Sequence, residues 1–354
     1  MIVGTRPQFI KLAPFVRESK GLLDLLIMDT GQHYDHAMST DLIREFGTRK
    51  PDYFLNVGSA SHGLQTGRML GRLDAILSQE KPDLVVVFGD TNSTLAGALA
   101  ASKLEIPVVH IEAGMRSNDL KMPEEINRRM VDSISSLMFC PTRTAMDNLI
   151  REGRGQLAIL TGDIMVDSLD YSLRKASESS ILEDNQLESI EYIYTTLHRP
   201  ANTDSPENLK AILGAVGEAG ILTILPIHPR TEQRLKDFNL MGHVPNNLKI
   251  IPPIGHFSSI QLVKHARCVL TDSGGVQKEA YLLGTPCITL RESTEWPETL
   301  YHNRNRLVKI DKDSIRKAIF ESHERFFLPT HAVFGEPGVS KRMIEIIRSW
   351  GAAL

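Results

Sequence analysis

Short apolar runs recur along the chain, each closed by glycine and polar residues and followed by a stretch with helical spacing. Met1-Ile2-Val3 ends at Gly4-Thr5-Arg6-Pro7 and leads into Ile10, Leu12, Ala13, Phe15 and Val16. Residues 22–28 read as a second strand, ending at Thr30-Gly31-Gln32-His33. Residues 84–88 are apolar throughout and stop at Gly89-Asp90-Thr91, and Val108-Val109-His110-Ile111 runs into Glu112-Ala113-Gly114. Runs of this length bounded by turn residues predict buried strands. Two further strands are expected at 137–140 and 158–160, with helices over 37–46, 64–77 and 94–101 and after Pro123. Met69 and Met130 fall at helical core positions. Residues 172–188 are polar, serine-rich and acidic, which predicts a domain boundary. Beyond them the pattern restarts, with strands over 193–197, 222–227, 248–251, 268–271 and 286–289 and an amphipathic closing helix over 341–350.

Strands alternating with helices predict parallel sheets joined by right-handed crossovers. The expected fold class is α/β, as two doubly wound Rossmann-like domains facing each other across a cleft, one over 1–168 and one over 190–335. In such sheets ligands bind beyond the carboxyl ends of the strands. Arg6, Gln32, His33, Asp90, Glu112, His198, His228 and Ser273 all fall at those ends. The stretch Leu-Thr-Asp-Ser-Gly-Gly-Val-Gln-Lys-Glu-Ala from Leu270 to Ala280 carries the most chemistry. Asp272 and Ser273 can cap a helix, and Gly274 and Gly275 allow close approach of its backbone to a ligand. The helix start offers unpaired N–H groups and the positive dipole end to a phosphate. Glu279, inside that helix, is placed to accept from sugar hydroxyls. An ordinary strand-to-helix turn is the plain alternative.

The chain is long enough, at 354 residues, for two domains with separate cores. A net charge of −3 gives no global field for nucleic acid or acidic membranes, so an anionic ligand must be held by local groups. The three cysteines, Cys140, Cys268 and Cys287, each sit in a short apolar run and read as core thiols of a reducing compartment. No apolar run is long enough to span a bilayer, and the start lacks the regions of a signal peptide, so the expected location is cytoplasmic. Met1-Ile2-Val3 is short for a strand that opens a sheet, which points to a start further upstream. Neither half carries Gly-x-Gly-x-x-Gly after its first strand. The Walker loop, His-Glu-x-x-His, paired Cys-x-x-Cys and the Gly-x-Ser-x-Gly elbow are also missing. No cofactor and no metal are expected. What remains is phosphate-binding apparatus with carboxylates and histidines, which suits acid–base chemistry on a phosphorylated or nucleotide-linked substrate.

Nearly the whole chain resembles the non-hydrolysing UDP-N-acetylglucosamine 2-epimerases. The resemblance rests on Gly4-Thr5-Arg6-Pro7-Gln8-Phe9-Ile10-Lys11, Gly31-Gln32-His33, Gly89-Asp90-Thr91, His110-Ile111-Glu112-Ala113-Gly114 and Pro123-Glu124-Glu125-Ile126-Asn127-Arg128. In the second half it rests on Leu197-His198-Arg199, His228-Pro229-Arg230 and Thr271-Asp272-Ser273-Gly274-Gly275. It implies the GT-B fold, UDP held mainly by the second domain, a last helix over 336–354 that crosses back to the first, and a homodimer. The implied reaction inverts carbon 2 of UDP-GlcNAc to give UDP-ManNAc, by anti elimination of UDP to 2-acetamidoglucal and re-addition from the other face. No redox cofactor, nucleic acid or membrane partner is implied. By the same resemblance, Asp90, Glu112 and Glu124 share proton transfer and His198 meets the leaving diphosphate. Arg6, Arg199, His228, Ser273, Gly274 and Gly275 hold phosphates or nucleotide, with Lys11 nearby and Glu279 on the ribose.

Some of these residues have plainer readings. Glu124 and Glu125 follow Pro123 at a helix start, where the dipole favours acids in any case. His110, between Val109 and Ile111, reads as a buried, hydrogen-bonded histidine, and Arg116, Arg128 and Arg129 can pair with the acids as easily as with a phosphate. Gln8 and Trp296 stand where many relatives have glutamate and arginine. Tyr34 follows Gln32-His33 where bacterial enzymes activated by a second UDP-GlcNAc usually carry arginine, so such activation is expected to be weak or absent. The Pro-Gln-Phe-Ile-Lys, Thr-Glu-Trp and Gly-Asp-Thr-Asn-Ser-Thr segments also resemble a sister branch acting on UDP-2,3-diacetamido-2,3-dideoxy-glucuronate. A GT-B glycosyltransferase and a non-catalytic nucleotide-sugar-binding regulator are rival readings; the acids of the first half speak against both.

Overall fold

A computed structural model describes residues 1–32, 43–322 and 331–351. The chain divides into two units, Met1–Asp170 with His331–Leu354, and Tyr171–Thr330.

Unit 1 holds seven parallel strands: β1 Ile2–Val3, β2 Met28–Asp29, β3 Tyr53–Phe54, β4 Val85–Phe88, β5 Val108–Ile111, β6 Leu137–Cys140 and β7 Ala158–Leu160. Their order is β3-β2-β1-β4-β5-β6-β7, so the winding reverses between β1 and β4. Isoleucine and valine of β1, β4 and β5 pack under Met69, Leu73 and Leu77 of helix His62–Glu80 and the alanines of helix Asn92–Lys103. That second helix lies close because it is built of small residues: a Cβ on Gly97 would sit 2.8 Å from Ile2 Cδ1. Helix Val339–Gly351 packs on helix Arg6–Glu18 within this unit. Asp167 accepts the N–H groups of Gly338, Val339 and Ser340 at its start.

Unit 2 repeats the plan with six parallel strands: β8 Tyr192–Thr196, β9 Leu222–Pro226, β10 Leu248–Ile251, β11 Cys268–Thr271, β12 Cys287–Thr289 and β13 Asn305–Leu307. The order is β10-β9-β8-β11-β12-β13, and the reversal falls between β8 and β11. All three cysteines are free and buried, and burial pushes their thiols up to about 12, so they are inert core residues. Among the described residues no helix is long and apolar enough to cross a membrane.

Several expected elements differ. The strand over 22–28 shrinks to Met28–Asp29, because Leu22 and Leu23 donate to Ser19 O in a turn and Ile27 N–H is taken by the Asp52 carboxylate. The edge strands β3 and β13 are too short to leave a periodic signal. The boundary between the units falls between Asp170 and Tyr171, just before the expected residues 172–188. Helix Met165–Ala176 runs into them and Ser172 is buried against His256 Nε2 at 3.1 Å. Met69 is core, but Met130 is 44% exposed. The buried face of its helix, Pro123–Ile134, instead carries Glu125, Asn127, Arg128 and Asp132 beside Val131. His33, Tyr34 and most of the helix expected over 37–46 lie outside the described residues.

Candidate active site

In unit 1 the site is assembled where β1, β4 and β5 end. β1 leaves the sheet through Gly4, where a Cβ would lie 2.0 Å from Thr30 Oγ1 and 2.3 Å from Ser93 Oγ. Arg6 then opens a helix with Pro7 in its first turn, and its guanidinium makes no hydrogen bond or ion pair among the described residues. Lys11, on the same helix, pairs with Glu112 at the end of β5, and both are buried. Glu112 has φ +74°, a left-handed conformation that costs a non-glycine residue energy and marks a functional position when the surroundings enforce it. Gly89, with φ +64°, lies beside it: a Cβ there would be 3.1 Å from Glu112 Oε2. Asp90 follows and pairs with the buried Arg128. Gln32 accepts from the N–H and hydroxyl of Ser93, at 3.0 and 2.7 Å.

Asp90 and Glu112 thus stand at the ends of the neighbouring strands β4 and β5, each facing a cation. Glu124 is half-buried in the first turn of its helix, and its carboxylate bonds to nothing among the described residues. The neighbouring Glu125 is the buried one and shares Arg128 with Asp90. Burial alone raises its carboxyl, but Ser117 N–H, Arg128 and Arg129 outweigh that and hold it below the ordinary range. Adjacent helical residues point about 100° apart, so only the phase of the helix decides which acid faces inward.

In unit 2 the corresponding place is the end of β8 and β11. Asp272 is fully buried and accepts from the N–H groups of His198 and Arg199 and from Asn202 Nδ2, at 3.0 to 3.2 Å. His198 Nδ1 lies 2.9 Å from Asp272 Oδ1 while the side chain is 46% exposed. A carboxylate only accepts, so Nδ1 carries the proton and Nε2 is the nitrogen presented outward. Burial raises the Asp272 carboxyl, but these hydrogen bonds prevail and leave it below the ordinary range. Asp272 was expected as a helix cap. Ser273 alone fills that role, its hydroxyl accepting Val276 N–H, and Asp272 instead orients His198.

Helix Gly274–Leu282 starts at the end of β11, and its first N–H groups have no acceptor within the helix. A Cβ on Gly274 would lie 2.3 Å from Glu295 Oε1. Glu295 pairs with Arg291 at 2.7 Å and lies 3.7 Å from Arg199. Glu279 is buried, 3.9 Å from His256 Nδ1. His228 stands at the end of β9, its Nδ1 accepting Arg230 N–H as a helix cap. At Trp296 the Lys278 ammonium sits 3.6 Å over the ring, a cation–π pair. Glu298 escaped the sequence reading. It is 2% exposed, and neither carboxylate oxygen has a hydrogen-bond partner among the described residues. Its signal is burial, which the sequence does not display.

Two doubly wound parallel sheets, each with polar side chains gathered where the winding reverses, define an α/β protein of the GT-B-like class. The chain belongs to the UDP-N-acetylglucosamine 2-epimerase family, whose model matches residues 17–348. It is 46% identical over 352 residues to a UDP-N-acetylglucosamine 2-epimerase homolog of Methanococcus maripaludis, covering 98% of each chain. It is 41% identical to the UDP-2,3-diacetamido-2,3-dideoxy-D-glucuronate 2-epimerase of Pseudomonas aeruginosa, again over 98% of each. The crystal structure of the Methanocaldococcus jannaschii UDP-GlcNAc 2-epimerase in complex with UDP-GlcNAc and UDP superposes with a TM-score of 0.90 at 42% identity, covering 98% of each chain.

Proposed function

We propose that this chain is an isomerase that interconverts UDP-GlcNAc and UDP-ManNAc. The observation that carries the reading is the strand-end chemistry of each unit taken by itself: Asp90 with Arg128 and Glu112 with Lys11 in unit 1, and His198 oriented by Asp272 beside the Ser273-Gly274-Gly275 turn in unit 2. Likeness to relatives named for this reaction supports it. In our reading Ser273, Gly274 and Gly275 hold the diphosphate at the helix start, with Arg6, Arg199 and His228 adding positive or donor groups. Glu279 accepts from ribose hydroxyls.

A carboxylate among Asp90, Glu112 and Glu124 removes the proton from carbon 2 while the bond from carbon 1 to the phosphate oxygen breaks. The products of that half are 2-acetamidoglucal and UDP. UDP then adds back through the same oxygen to carbon 1, and a proton is delivered to carbon 2 on the opposite face. Charge develops on the departing phosphate, where the N–H groups of the helix start stabilise it together with His198 in its imidazolium form, Nδ1–H on Asp272 and Nε2–H donating to the phosphate; preorganised donors of this kind contribute several kcal/mol. No electron leaves the substrate, so no redox cofactor enters.

A second reading is favoured by the 41% likeness to the Pseudomonas aeruginosa enzyme: the same inversion on UDP-2,3-diacetamido-2,3-dideoxy-glucuronate. We further propose a cytoplasmic homodimer supplying precursors for surface polysaccharide, with no nucleic-acid partner. Purified protein incubated with each nucleotide sugar in turn, followed by proton NMR, tests the substrate. The manno epimer of UDP-GlcNAc is expected. Turnover of the diacetamido sugar alone would select the second reading, and transfer of sugar to an acceptor would sink both.

A further inference from the structure

Three consecutive carbonyls at the end of β4 are each held by a side-chain donor from a different element. Gln8 Nε2, on helix Arg6–Glu18, donates to Phe88 O at 2.8 Å. His110 Nε2, on β5, lies 2.8 Å from Gly89 O. Asn127 Nδ2, on helix Pro123–Ile134, donates to Asp90 O at 2.9 Å. All three side chains are buried, and each is fixed from behind. Gln8 Oε1 accepts the N–H groups of Gly4 and Thr5. His110 Nδ1 is 2.7 Å from Asp132 Oδ1, and the other oxygen of Asp132 takes Gly114 N–H and Arg116. Asn127 also donates to Asn92 Oδ1.

The Gly89 and Asp90 carbonyls belong to the two peptide planes that flank the Asp90 Cα. Pinning both planes fixes φ and ψ of Asp90, and with them the direction in which its side chain leaves the chain. Gly89, at φ +64°, would otherwise be among the freest points of the turn. We propose that His110 and Asn127, backed by Gln8, are positioning residues for Asp90, holding its carboxylate where the carbon 2 proton is handled. They act through the backbone and touch no substrate. The inference rests on the functional reading above.

The test uses UDP-GlcNAc in deuterated water and the full chain as His110→Phe, Asn127→Leu, Asn127→Asp and His110→Gln. Misplacing a reacting group by an ångström costs up to about a hundredfold. His110→Phe, Asn127→Leu and Asn127→Asp should therefore lower kcat for carbon 2 exchange roughly 10- to 100-fold with KM little changed. His110→Gln, which keeps an N–H donor, should recover most of the rate. If His110→Phe does not fold, Asn127→Leu, which keeps much of the volume and removes the donor without adding charge, decides alone. Wild-type kcat in the variants, or a loss confined to KM, overturns the inference while leaving the functional reading intact. A wild-type chain that exchanges no proton overturns the reading, and the inference with it.

Discussion

At the end of β11, Asp272 gathers three N–H donors and one imidazole from the residues just after β8, all of them seventy or more positions away in sequence. Its neighbour Ser273 does the capping, so local spacing alone assigned Asp272 the wrong partner. Replacing Asp272 by asparagine keeps the shape but gives His198 Nδ1 a neutral acceptor or a donor to face. Misplacing a reacting group by an ångström costs up to about a hundredfold, and kcat of Asp272→Asn should fall toward that order with UDP affinity nearly intact. Steady-state kinetics beside UDP calorimetry would check it. Among the acids, Asp90→Asn and Glu112→Gln should each lose roughly 100-fold or more in carbon 2 exchange, the usual scale for removing a general acid or base. Those residues were legible because each ends a strongly apolar run. Burial of Glu125, rather than Glu124, depends on helical phase and was not.

Whole elements were legible where apolar runs were long. Val85–Phe88, Val108–Ile111, Leu137–Cys140 and Cys268–Thr271 are buried end to end. Two-residue strands such as β3 are defined by ladder partners, which no local pattern encodes. The turns between elements carry their own tests. Gly4→Ala would drive a Cβ into Thr30 Oγ1 and Ser93 Oγ, so it should destabilise the protein by about 1–3 kcal/mol in urea melts, the usual cost of overpacking. Gly274→Ala meets a carboxylate that Arg291 already holds. Its effect should fall on the ligand: UDP affinity roughly tenfold weaker, or about 1.4 kcal/mol, with circular dichroism unchanged.

Across the whole molecule, two parallel sheets repeat the same reversal of winding, and the alternation of strands and helices announced this. Chain length left room for two domains, and a net charge of −3 gave no global basic field. The buried carboxylates Asp132, Asp272 and Glu295 are all held below the ordinary range: burial pushes each up, and His110 with Arg116, His198 with backbone N–H groups, and Arg291 with Arg199 outweigh it. A lowered folded value means stabilisation that is present above the unfolded value and lost as pH falls through the folded one. The melting temperature should therefore hold from neutral down to about pH 4 and then drop steeply, as a pH series of thermal melts would reveal. The most direct trial of the account is the mass of both epimers recovered from UDP-GlcNAc in deuterated water. One deuteron at carbon 2 of UDP-ManNAc and of returned UDP-GlcNAc is the predicted result; an epimer formed with its original proton would contradict it.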